Sequence, residues 1–307
     1  MVSTDIENKT SKENSDFTQE VNFHQIVEML WNSKISISIF AFCIFLISII
    51  ATLSMQDIYE SKAILSPTEK RSQPSVPTNI LGLAGITGLN IVSGGSGVDE
   101  GIEILKSYNF FKNFLETGYI KENLFALKKW DKRSNTLIYD EKLFDSKEGI
   151  WKVDSEKIPS SQEAFVEFQK IFSISQDPKT SFVTLTINHP SPSVAKDWLD
   201  RVIYLINETT RKAEAEEARK SIDYLMIQME QTDFTEVKKV LSELVKNQLQ
   251  IAMLADSNPD FLFKVIEPPI VPEEKKSPQR AILVLLITLI GSLLYSLALI
   301  VYNLKQK

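Results

Sequence analysis

Two long uncharged apolar runs, one near each end of the chain, limit its fold more than any other feature. The first, Ile35–Met55 (ISISIFAFCIFLISIIATLSM), is twenty-one residues long, and the second, Ala281–Tyr302 (AILVLLITLIGSLLYSLALIVY), is twenty-two. A helix rises about 1.5 Å per residue, so each reaches roughly 31–33 Å, enough to cross a hydrocarbon layer of ~30 Å. Neither run carries the polar stripe that a core helix shows to solvent. A cleaved signal peptide fits the first run poorly: thirty-four residues precede it, its apolar stretch is too long, and that flank holds six acids against three bases. The sequence therefore predicts a tail (1–34), a span (35–55), a central domain (56–280), a second span (281–302) and a short tail (303–307).

Two spans place both termini on one side and the central domain on the other. Charge does not fix which side: Lys34, Lys305 and Lys307 flank the terminal side, while Lys275, Lys276 and Arg280 crowd the other. A formal charge of −6 offers no general basic field for nucleic acid. The one cysteine, Cys43, lies inside the first span, so no disulfide forms within the chain.

Within the central domain, Tyr59, Ser61, Ala63 and Leu65 alternate with Glu60, Lys62 and Ile64, a strand ended by Pro67. The next thirty or so residues pass from prolines to glycines with no sustained period, and read as one long loop. Seven of the ten glycines lie between positions 82 and 101. "VDEGIEILKSYNFFKNFLETG" reads as one helix, with Asp99 as its cap and Gly118 as its stop. Residues 121–160 give weak signals, with a short strand over 150–154; "SQEAFVEFQKIF" reads as a helix, and residues 182–189 alternate as a strand. Ser191 and Pro192 then open a long helix over 191–230, whose stripe of Val194, Trp198, Val202, Leu205 and Ile206 faces a core. Its middle, residues 209–221, is charged all round between alanines; it should stand away from the core or pack against another subunit. A second helix over 235–255 folds back antiparallel, and a strand with a proline-rich approach (Pro268, Pro269, Pro272, Pro278) returns to the second span. This order argues an α+β domain: a small mixed sheet with a long extended helix and a helical hairpin.

No constellation for chemistry emerges. The glycine-rich segment has no G-K-[ST], and Asp99, Glu100 and Glu103 would repel a phosphate at the helix start. His24 and His189 lie on opposite sides of the membrane, and His189 reads as a turn residue. Glu214, Glu216 and Glu217 sit among Lys212, Arg219 and Lys220 at helix-pairing distances, which is a solvated or inter-subunit face rather than an acid–base pair. "WDKRSN" (130–135) reads as a surface turn. In the second span, Thr288, Ser292 and Ser296 recur every fourth residue beside Gly291, a spacing of small residues that favours helix self-association in lipid. Neither span holds a charge, which argues against a transporter. No metal, cofactor or catalytic role is expected.

The layout resembles the chain-length determinant proteins of bacterial surface polysaccharides, the polysaccharide co-polymerases. The likeness runs through "FHQIVEMLWNSKISISIF", "YESKAILSP", the glycine-rich segment leading into "ILKSYNFFKNFLE", and "VIEPPIVPEEKKSPQRAILVLLITLIGSLL". Tyr108 departs from the basic residue expected after the serine, and "EEKK" interrupts the proline-rich lead. No Walker motif follows the second span, so the likeness is to the branch without a kinase. The resemblance implies a two-pass inner-membrane protein with cytoplasmic termini and a periplasmic α+β domain. It further implies a ring-forming homo-oligomer that sets glycan length with a membrane polymerase, without catalysis, and so meets lipid and nascent glycan. On this reading Arg211, Glu214, Glu217 and Arg219 are candidate contacts between copies, and Gly82, Gly85, Gly88, Gly94, Gly95 and Gly97 form a functional loop facing the lumen or the bilayer. Thr288, Gly291, Ser292 and Ser296 pack membrane helices. The alternatives are a two-span periplasmic sensor acting through a partner, and an enzyme on lipid-linked sugars.

Overall fold

The computed structural model describes residues 30–31, 33–68 and 97–305. The loop expected over 68–97 falls outside them save for Thr68 and Gly97, and with it Gly82, Gly85, Gly88, Gly94 and Gly95. The chain forms two compact units: the segments up to Gln56 and from Ser277 onward, and Asp57–Lys276.

In chain order the elements are α1 (Lys34–Leu53), β1 (Tyr59–Pro67), α2 (Gly97–Lys106), α3 (Tyr108–Leu115), α4 (Ile120–Phe125), β2 (Leu127–Asp131), β3 (Thr136–Tyr139), β4 (Phe144–Asp145), β5 (Ile150–Trp151), α5 (Ser161–Ile171), β6 (Phe172–Gln176), β7 (Val183–His189), α6 (Pro192–Gln231), α7 (Thr235–Ser257), β8 (Phe263–Glu267) and α8 (Arg280–Lys305).

The first unit consists of α1 and α8, both long and apolar enough to cross a membrane. They pair antiparallel. The Ser36 and Tyr295 hydroxyls are 2.7 Å apart, and the Phe40 and Tyr295 rings stack at 4.0 Å. At the other end Arg280 donates to the Thr52 and Met55 carbonyls at 3.1 and 3.2 Å, satisfying acceptors that the end of α1 leaves open.

The second unit is built on a four-stranded sheet in the order β6-β7-β1-β8. Every neighbouring pair is antiparallel, so the mixed sheet expected from the sequence is corrected. The physical reason lies in the crossover. The α6–α7 hairpin carries the chain past β1 to the opposite end of the sheet, so β8 starts beside Pro67 and runs against β1. On β1, Tyr59, Ser61, Ala63 and Leu65 are buried, and on β7 Val183, Leu185, Ile187 and His189 are buried. These two alternating faces, in register from Tyr59↔His189 to Leu65↔Val183, form the floor of the core. Val194, Trp198, Val202 and Ile206 of α6 cover it, joined by Phe110, Phe111, Phe114 and Phe168. The Ser191 hydroxyl caps α6 by accepting from the Val194 N–H, with Pro192 in the first turn.

The single helix expected between Asp99 and Gly118 is two. α2 already starts at Gly97, and Ser107 interrupts it, turning extended (φ −75°, ψ 147°) to cap α3 through Phe110 N–H. Gly118 is not the stop either. α3 ends at Leu115 with Glu116 in a right-handed conformation, and Gly118 instead gives room to Arg201, whose Nη1 donates to the Thr117 carbonyl. The weakly patterned stretch after it folds as two small hairpins, β2–β3 and β4–β5, and the strand expected over 150–154 is only Ile150–Trp151. Gly149 has φ +70° in the β4–β5 turn, a conformation that side chains rarely adopt.

Candidate functional site

The longest element, α6, continues for forty residues, roughly 60 Å, of which only the first half lies on the sheet. Its charged middle, expected to stand away from the core or to pack against another subunit, is lined by a helix of the same chain. α7 returns along it, and small side chains are what the pair buries: Thr210, Ala215 and Ala218 on α6, Ala252 and Ala255 on α7. Alanine permits a short interaxial distance, and the charges at the flanks then reach across.

Arg211 donates to Glu208 Oε2 at 2.8 Å and to the Ala255 carbonyl at 3.3 Å. Arg219 makes both its bonds to the Asp256 carboxylate, at 3.0 and 3.1 Å. Lys212 completes a second contact to Glu208 at 2.9 Å. Lys212 and then Arg211 hold the Glu208 carboxyl below its ordinary range, and Lys220 does the same for Glu216. Of the four candidate contacts between copies, both arginines are thus engaged within the chain, Glu214 is half-exposed, and Glu217 faces solvent. At the root of the hairpin, Asp200, Tyr204, Glu208, Arg211, Asp256 and Asp260 line a polar cleft of about 470 Å³.

One residue ties the hairpin to the sheet, and sequence reasoning missed it. Asn207 is buried, and its amide donates to the Phe263 carbonyl at 2.9 Å while its Oδ1 accepts from the Leu262 and Phe263 N–H groups at 2.9 and 2.8 Å. It locks the start of β8 onto α6. A buried amide at a helix position otherwise reserved for apolar residues was the only signal, and it is faint.

In the apolar pair, a Cβ at Gly291 would lie 2.5 Å from Ile44 Cδ1, so the small residue serves the approach of α8 to α1 of the same chain. The Thr288, Ser292 and Ser296 hydroxyls donate to carbonyls of their own helix, those of Val284, Leu289 and Ser292. Of the glycine-rich set, only Gly97 is described, at the first position of α2. Gly101, one turn on, lets α2 lie against β8: a Cβ there would come within 2.7 Å of Leu262 and 3.1 Å of the Phe263 ring.

His189 closes β7 on the core side. Its Nδ1 accepts from the Ser191 N–H at 3.0 Å, and its ring lies 5.0 Å from Trp198. Burial, partly offset by the nearby backbone at Ser191 and Asn123, pushes its pKa down to about 4. It is a neutral core histidine that also holds the turn into α6. Among the described residues no three His, Cys, Asp or Glu side chains converge as metal ligands would.

Residues 19–117 match the family model described as Wzz, chain length determinant protein. No curated protein matches the chain. Among solved structures, a full-length bacterial polysaccharide co-polymerase is 14% identical, with a TM-score of 0.37 and coverage of 91% of this chain and 97% of that one. A fragment of WzzB, the polysaccharide co-polymerase from Salmonella Typhimurium, is also 14% identical, with a TM-score of 0.30 and coverage of 72% and 100%.

Proposed function

We propose, from the match of residues 19–117 to the Wzz chain length determinant family model, that this chain sets the modal length of a bacterial surface polysaccharide such as an O-antigen. It does so without catalysis, as a co-polymerase beside a membrane polymerase. In this reading α1 and α8 anchor it in the inner membrane with both termini cytoplasmic, and residues 56–280 stand in the periplasm as one protomer of a ring. The observation that carries the reading is the family match, which begins before α1 and runs through β1 into α3. The layout of two apolar helices around one α+β unit supports it.

The proposed ring surface includes the outward side of the α6–α7 hairpin, where Glu217 is exposed and Tyr224, Ile227 and Phe234 show large apolar areas to solvent. The glycine-rich segment from Gly82 to Gly97 is proposed as the part nearest the polymerase or the growing glycan. Deletion of the gene tests the function. Surface polysaccharide resolved on a gel should lose its modal band and spread over many lengths. An unchanged distribution would overturn the proposal, and complete loss of polymer would indicate an enzyme or exporter instead. The mass of the detergent-solubilised protein should be that of an oligomer, and a monomer at working concentration would overturn the ring.

A further inference from the structure

The polar cleft at the root of the α6–α7 hairpin is built where three stretches converge: α6 from Asp200 to Arg211, the end of α7 at Asp256, and residues 258–260 leading into β8. All of them belong to the second unit. At about 470 Å³ the cleft has the size of a small-molecule site, ~300–1,000 Å³, and it lies at a junction of elements, where such sites collect.

Its walls are held before any ligand arrives. Asn207, buried in the lining, is fixed by its bonds to Leu262 and Phe263, and Arg211 is fixed by the Glu208 carboxylate and the Ala255 carbonyl. Such preorganisation lowers the cost of binding. The charges nearly cancel. Lys196 pairs with Asp200 at 2.6 Å and approaches Asp197 at 3.8 Å, Lys212 pairs with Glu208 at 2.9 Å, and Arg219 with Asp256 at 3.0 Å. With Asp260 and Arg211, five acids stand beside four bases, so a small ion finds little net charge to hold it.

Hydroxyl groups suit this lining better. An ionised carboxylate has lone pairs beyond those that one base occupies, and the Asn258 amide adds both donors and an acceptor. Beside these polar groups Tyr204 is 68% exposed. An aromatic face carries negative charge density and attracts the polarised C–H groups of a saturated ring. A pyranose offers both surfaces, C–H groups on its face and hydroxyls at its edge.

We infer that this cleft binds a short segment of neutral glycan strand, with Tyr204 against a sugar ring and Asp200, Asp260 and Asn258 on its hydroxyls. The inference rests on the proposed function for the source of that strand, the polymer whose length is set.

The full chain tests it in lipid nanodiscs, which avoid sugar-based detergents. The first probe is the neutral oligosaccharide fraction released by mild acid from the surface polysaccharide of the cells that make the protein. The second is the set of cell-wall fragments released by muramidase. Saturation-transfer NMR should show transfer from the protein to ring C–H protons of the first probe. The transfer should persist in Tyr204→Phe and fall several-fold in Tyr204→Ser and in Asp260→Ala. No transfer to the first probe overturns the inference, including the case in which the cell-wall fragments alone respond. Transfer that survives Tyr204→Ser unchanged also overturns it, by placing the contact elsewhere. The gene-deletion gel fails separately. A lost modal band without saturation transfer removes the cleft and keeps the co-polymerase reading, and transfer with an unchanged band does the reverse.

Discussion

His189 is the residue whose chemistry most directly links the fold to its surroundings. With the imidazole neutral and buried, the unfolded chain takes up a proton near the ordinary pKa of 6.5 while the folded chain resists until about 4. The unfolded state therefore binds more protons through that window, and stability falls as pH drops from about 6.5 toward 4. The size of the effect is about 3 kcal/mol at the acid end, from ~1.4 kcal/mol per unit. Thermal unfolding of the purified protein should show Tm falling across this range, and His189→Gln should flatten that part of the profile. An identical acid slope in the variant would place the proton uptake elsewhere. Asn207 has the opposite character: it does not titrate, yet its three buried hydrogen bonds join two elements far apart in sequence.

At the scale of elements, the paired apolar helices offer the sharpest test. Ile44 Cδ1 lies 2.5 Å from where a Cβ at Gly291 would stand and the Ile44 Cγ2 lies at 3.4 Å, so a side chain as large as that of Gly291→Ile should separate α8 from α1. In a Cys43→Ser background, cysteines at Ser36 and Tyr295, whose long side chains meet through hydroxyls 2.7 Å apart, report this separation through a bifunctional thiol reagent of matching length. Cross-linking between them should drop several-fold in the Gly291→Ile background, and unchanged cross-linking would show that the glycine serves something other than this pair. The strands β1 and β7 were legible in the sequence because one face of each is buried, which forces strict alternation. The hairpins β2–β3 and β4–β5 were not. Their partly exposed strands are two to five residues long and mix charges with aromatics, so neither period dominates. The α6–α7 contact was hidden for another reason: its buried side chains are alanines, whose small apolar signal disappears among surrounding charges.

At the scale of the whole molecule, the two glutamates and two arginines proposed for contacts between copies differ in their prospects. Arg211 and Arg219 already hold α7 to α6, so changing either perturbs the protomer as well as any assembly. Glu217 is the discriminating choice because it is exposed. Glu217→Arg should lower the mass of the solubilised oligomer and shift polysaccharide length while leaving Tm within about 1 °C, since surface changes typically cost under ~0.5 kcal/mol. A normal oligomer mass would remove this face of the hairpin from the ring. The fold class and the two apolar helices were readable from the chain because burial and membrane length both impose long patterns. Which surfaces meet other molecules was not, because a solvated face and a contact face draw on the same charged residues.

The Lys276 N–H donates to the Ile58 carbonyl at 2.8 Å, so the second unit is entered and left at one place. A unit whose ends lie hand in hand is an insert: a short turn could replace it, or a different insert could occupy its place, without altering how the two apolar helices are joined. Such a chain can exchange its outer part wholesale while its anchor stays the same, and variation among chains of this plan has a ready-made point at which to occur.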